Sequence, residues 1–136
     1  MRTNSDLTLF NRYLVAGAET YQRTVIADVA WENRKAANVL ASGGNLAADS
    51  VAVYIPLARG DDYLAPKAWQ ALVSKTGKWT LQVGDVIVRG TVTDTIGPSF
   101  TLTALKAKYD DVLVITSVDT MDSGSPALQH WQLGAK

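Results

Sequence analysis

Apolar side chains in this chain recur at every second position in short runs, and turn residues separate those runs at intervals of about ten residues. Between Thr24 and Trp31, Val25, Ala27, Val29 and Trp31 share one parity, while Thr24, Asp28 and Glu32 share the other, interrupted by Ile26 and Ala30. Such a period, rich in β-branched residues, predicts a half-buried strand. Ser50 to Leu57 repeats the pattern with Val51, Val53, Ile55 and Leu57, and Pro56, which has no N–H to donate, belongs at an edge or a strand end. Trp79 to Val83 alternates, Gly84-Asp85 interrupts, and Val86 to Arg89 resumes. This predicts two short strands around a tight turn or glycine bulge, with Val92 carrying the sheet on into Thr93-Asp94. Val112 to Val118 is apolar on both parities and reads as the most buried strand. Asp122 to Pro126 then marks a turn, after which Leu128 to Leu133 returns as a last strand.

Two segments break the alternation. Leu64 to Val73 fits a short helix, with Pro66 in the first turn and Ala68, Trp69 and Leu72 on one side. Between Phe100 and Tyr109, Thr101 is placed to cap a helix whose stripe is Leu102, Leu105 and Tyr109, with Lys106 and Lys108 near its negative end. The expected fold is therefore mainly β: a small antiparallel β-barrel or sandwich with one or two short helices. The expected division is a single domain over residues 24–136 preceded by an N-terminal segment, residues 1–23.

Bulk properties narrow the function. Lys plus Arg balances Asp plus Glu, 13 against 13, whereas nucleic-acid binders carry a basic excess or patch. Arg12, Arg23, Arg34 and Lys35 are the cations that folding could still gather on one face. With no cysteine, disulfides and thiolate metal sites are excluded. No stretch approaches the roughly 20 apolar residues of a membrane span, and the N-terminus leads into no apolar run of signal-peptide length. Charged residues make up 19% of the chain, below the usual ~25%, which fits a surface partly covered by other subunits.

The residues that carry chemistry are sparse. His130 is the only histidine and, between Gln129 and Trp131, fits a strand residue with a hydrogen-bonded or packed ring better than a general base, which needs further groups positioned around it. Asp61-Asp62 and Asp110-Asp111 are neighbours in sequence, so on a strand they would point to opposite faces; turn and capping roles suit them better than a shared site. Asp119 to Gly124 departs from the calcium-loop pattern at Met121 and Ser123 and lacks its later Glu. Gly43-Gly44 is followed by no Gly-Lys-Ser/Thr, there is no GxGxxG, and neither Ser42 nor Ser125 lies in GxSxG. Trp31, Trp69, Trp79 and Trp131 could form a stacking platform, but with few cations beside them core or interface anchoring is the stronger expectation. No catalytic residue, cofactor, metal or small-molecule substrate is expected.

Three stretches resemble the small neck and minor-head proteins of tailed bacteriophages. They are Val29 to Glu32 with Ala48 to Pro56; Trp79 to Gly90; and Leu105 through Tyr109-Asp110-Asp111 to Asp119, then Gly124-Ser125 and His130-Trp131. The resemblance covers most of the chain beyond residue 24. It implies a virion protein at the head–tail junction, made in the bacterial host cytoplasm, and within that group a head-completion or stopper-type connector. Such subunits are small β-barrels that form a homo-oligomeric ring between the portal or adaptor and the tail, close the channel after packaging and offer the tail a docking face; a place on the channel would allow this chain non-specific contact with packaged DNA, and the resemblance carries no catalytic residues.

In that role, loops order against neighbours on assembly. The candidate contacts are Gly43, Gly44 and Asn45 in the Gly-rich loop, Asp122, Ser123, Gly124 and Ser125 in the later turn, and Leu7, Leu9, Phe10, Tyr13 and Leu14 in an N-terminal partner-contact arm. For that arm the alternative is a helix or strand packed on its own core. A tail-terminator or capsid-decorating protein fits the same composition. A nucleic-acid- or carbohydrate-binding barrel is the reading from a different class; it requires a tryptophan face beside basic groups.

Overall fold

The computed structural model describes residues 3–39 and 45–136, with backbone alone for residues 34–39 and 45–50. Six strands form a closed antiparallel barrel: Ser5–Val15 (β1), Ala18–Val39 (β2), Asn45–Pro56 (β3), Val86–Arg89 (β4), Val112–Met121 (β5) and His130–Ala135 (β6). They follow one another around the barrel as β1, β2, β3, β6, β5, β4, and β4 pairs back onto β1. A short 3-10 segment, Leu57–Asp62, and the helix Pro66–Gln70 (α1) follow β3, and the helix Leu102–Lys108 (α2) precedes β5.

The barrel interior is filled by Leu7, Leu9, Ile26, Val29, Trp31, Val53, Ile55, Ile87, Ile115, Trp131 and Leu133, together with Trp79 and Leu81 from the connection before β4. One group within it is aromatic: the Tyr63 ring centre lies 5.2 Å from that of Trp79 and 4.6 Å from that of Trp131. Outside the wall is a second core. Phe10, Val86, Val88 and Val92 pack there with Leu105 of α2, flanked by Phe100, Leu102 and Tyr109. The helix starts where expected, the Thr101 hydroxyl accepting the Ala104 N–H at 3.2 Å.

This second core corrects two expectations. The N-terminal stretch is no partner arm: Leu7, Leu9 and Phe10 are fully buried, because β1 has the barrel interior on one side and α2 on the other. The domain boundary at residue 24 dissolves accordingly, since β1 and β2 are paired from Ser5↔Val29 to Val15↔Ala18. Conversely, β5 buries only Ile115; most of its outer face has no helix over it.

Three local departures have local causes. On β2 the inward set is Ile26, Val29 and Trp31, and Val25 is exposed. Asp28 adopts φ 58° where the β1–β2 register shifts, so a bulge inserts one residue and reverses the parity of the strand. Trp79 to Val83 is not a strand. Its backbone is held instead by a single bridge, Trp79 bonding Asp62 and Leu64, and by the Asn11 side chain, which donates to Thr80 O at 2.8 Å and accepts the Thr80 N–H at 3.2 Å. Val92 does not extend the sheet either; its N–H donates to the Thr8 hydroxyl at 2.9 Å.

Candidate assembly surfaces

β2 is the longest of the described strands; one end of it pairs with β1 and the other with β3. At the first, Val15 pairs with Ala18 across Ala16 (φ 51°) and Gly17 (φ 83°), the two positive-φ positions of a type I′ turn. The strand ends behind this tip are braced. Gln70 of α1 donates to Arg12 O at 3.0 Å and to Gln82 Oε1 at 2.8 Å. The Tyr13 ring meets the Trp69 ring edge-on at 5.6 Å, and the Lys75 ammonium lies 4.8 Å from the Tyr13 ring centre.

Asp85 anchors the brace. Its carboxylate accepts from Asn11 Nδ2 and Gln82 Nε2, both at 2.8 Å, and from the Arg12 N–H at 3.1 Å. Burial raises its pKa above the ordinary carboxylate value, against the opposing pull of those donors. The result is a fixed hairpin end that exposes apolar side chains at its tip, Leu14 (59% exposed) and Val15.

At the other end β2 and β3 leave the barrel together. Their ladder runs without a register shift from Ala30↔Tyr54 to Val39↔Asn45, whereas β6 accompanies β3 only as far as Val51↔Ala135. On the opposite flank the β1–β2 ladder stops at a side chain: Asn4 Oδ1 accepts the Trp31 N–H at 2.8 Å and Asn4 Nδ2 donates to Trp31 O at 3.0 Å. Beyond these points residues 34–39 and 45–50 form a two-stranded ribbon, and no third strand among the described residues pairs with it. Six residues of strand reach roughly 20 Å.

A third exposed feature is the β5–β6 connection. Asp122, Ser123, Gly124 and Ser125 are all exposed; Gly124 has φ 87°, and its carbonyl accepts from Gln129 Nε2 at 3.2 Å. His130 lies where the connection enters β6, with Nδ1 2.8 Å from Leu128 O and its ring 5.4 Å from the Tyr54 ring centre; these are the contacts of a packed strand residue. The four tryptophans are buried, so they are core anchors and not a stacking face. Asp62 pairs with Lys78 at 3.3 Å and Asp61 is exposed beside it. Among the described residues no three His, Asp or Glu side chains are grouped to hold a metal ion, and no helix is long and apolar enough to cross a membrane.

The candidate contact residues therefore separate. Leu7, Leu9 and Phe10 belong to the core. Tyr13 is half-buried against Trp69, and Leu14 stands at the tip. Gly43 and Gly44 lie outside the described residues, and Asn45 opens β3 opposite Val39. Asp122 to Ser125 form the exposed β5–β6 connection. Tip and ribbon occupy opposite ends of one strand. Sequence reasoning missed Asn4, Asn11 and Asp85, the polar side chains that end or bridge the ladders. The available signal was an asparagine directly after the apolar run Leu7 to Phe10.

A family model described as "Family of unknown function (DUF6751)" matches residues 2–136. No curated protein and no solved structure matches the chain.

Proposed function

We propose that this chain, which belongs to the DUF6751 family, is a structural virion subunit of a tailed phage: a ring-forming head–tail connector of the head-completion or stopper type. In this reading it joins the portal or adaptor to the tail and closes the DNA channel, and its work is assembly. The observation that carries the reading is the β2–β3 ribbon. A two-stranded hairpin is at best marginally stable on its own in water, and an open strand edge is a template for pairing with another chain. A ribbon projecting from a closed barrel is accordingly suited to be completed by a neighbour. The barrel behind it, braced at the tip by Asp85 and packed on two cores, supplies a stiff unit for a ring. The resemblance of residues 24 onward to neck proteins supports the same role.

The test is reconstitution. The purified chain, added to DNA-filled heads that carry a portal and lack this subunit, is expected to bind at one vertex, retain the DNA and permit tail attachment. A chain that ignores such heads, and as a monomer binds an oligonucleotide or oligosaccharide with a defined stoichiometry, would be a binding module instead.

A further inference from the structure

Resting on the ring reading, we infer that neighbouring copies join by strand addition: the outer edge of the β2 ribbon, Asn33 to Val39, pairs with the open edge of β5, Ser117 to Met121, in the next copy. Trp31 turns its N–H and C=O toward the β1 side, where the Asn4 side chain takes both. The ladder beyond is regular, so Asn33, Lys35, Ala37 and Val39 present theirs on that same side, where no strand among the described residues meets them. β5 offers the complement. β4 accompanies it only over Val112 to Val114. Ile115 is then met by Gly84 and Asp85, through bonds of 2.8 Å each. Past the bulge between Ile115 and Ser117, β6 is the only strand among the described residues paired with β5.

Charge selects this pairing over ribbon against ribbon. Along the outer edge of β2, residues 33–39 carry Arg34 and Lys35 and no acid, with Asp49 of β3 opposite Lys35, whereas the β5 edge, residues 117–121, carries Asp119 and no cation. Two outer β2 edges would oppose like charges; an outer β2 edge on β5 opposes unlike ones. The two edges are different surfaces of one chain, so the contact is heterologous and builds a ring when the rotation closes.

Because the chain has no cysteine, disulfide trapping reads the contact directly. Two single variants, Ala37→Cys and Asp119→Cys, are mixed, oxidised and resolved on a denaturing gel, with ring formation followed by native mass spectrometry. A covalent dimer in the mixture and in neither variant alone is expected. Ala37→Pro, which removes one outward N–H at a position an edge strand tolerates, is expected to weaken assembly about tenfold per contact while near-ultraviolet circular dichroism shows an intact barrel. Covalent dimers of Ala37→Cys alone would identify ribbon-to-ribbon pairing and overturn the inference. Rings that form without any cross-link, and that Ala37→Pro leaves unchanged, would overturn it while the ring reading stands. A chain that stays monomeric throughout would remove both.

Discussion

Single side chains settle most of what is rigid in this molecule. At Gly60 an added Cβ would sit 2.6 Å from Trp131 Cη2, and that ring is wedged between Tyr63 and Trp79. Gly60→Ala is therefore expected to destabilise the fold by about 1–3 kcal/mol in urea unfolding. At Gly134 the nearest obstacle, at 2.5 Å, is the Ser117 hydroxyl, the end of an exposed side chain that can rotate away, so Gly134→Ala is expected to cost less than about 1 kcal/mol. Equal losses at the two glycines would contradict the aromatic wedge.

Asp85 gives the same scale a pH signature. Its pKa is raised in the folded state above the ordinary carboxylate value of about 3.8, burial being the largest cause. The folded chain thus holds this proton more tightly than the unfolded chain does. The stabilisation from protonation is complete below about pH 3.8 and is lost as pH rises through the folded-state value. Against Asp85→Asn, whose amide cannot titrate, the wild type should lose relative stability across that window. A gap that stays constant from acid to neutral pH would remove Asp85 as the source.

At the scale of elements, the alternating runs made the barrel legible, and β3, α2 and β6 lie close to where their apolar spacing places them. What escaped was decided by contacts between elements. Whether β1 or β5 is covered on its outer face depends on where α2 lands, and an apolar run such as Val112 to Val118 does not encode that. The parity of β2 was misread because the bulge hinges on one residue, Asp28, in a left-handed conformation that its sequence neighbours do not announce. Trp79 to Val83 alternates like a strand, yet it makes only a single parallel bridge, Trp79 with Tyr63, and an asparagine side chain takes the backbone of Thr80. The tip was missed because Ala16-Gly17 is a weak form of the type I′ turn signal, in which Asn-Gly is preferred. For the same reason Ala16→Asn is expected to stabilise the hairpin by about 0.5–1 kcal/mol, visible as a higher urea midpoint with an unchanged slope. A lower midpoint would mean that the turn is set by something other than its own backbone preferences. Thr101→Ala should remove about 1 kcal/mol through its lost cap, measured in the same way.

The whole molecule is a closed barrel with ladders that run on past it. Closure removes sheet edges, and among the described residues the edges left over include the β2–β3 ribbon, the far half of β5 and the β1–β2 hairpin beyond Phe10, which is why assembly and not chemistry is the function proposed. The candidate contacts were only partly legible for a physical reason: a short run of leucines and aromatics has the same composition whether it is a partner arm or a doubly buried strand, and only the packing of α2 on β1 separates the two. The exposed Asp122 to Ser125 connection was readable because turn residues announce themselves.

The most direct test of the central claim is cryo-electron microscopy of intact phage particles in which the chain carries a C-terminal tag bound by an antibody fragment. The account predicts a ring of added density between portal and tail. Label spread over the capsid lattice, confined to the tail tip, or missing from the particle would contradict it.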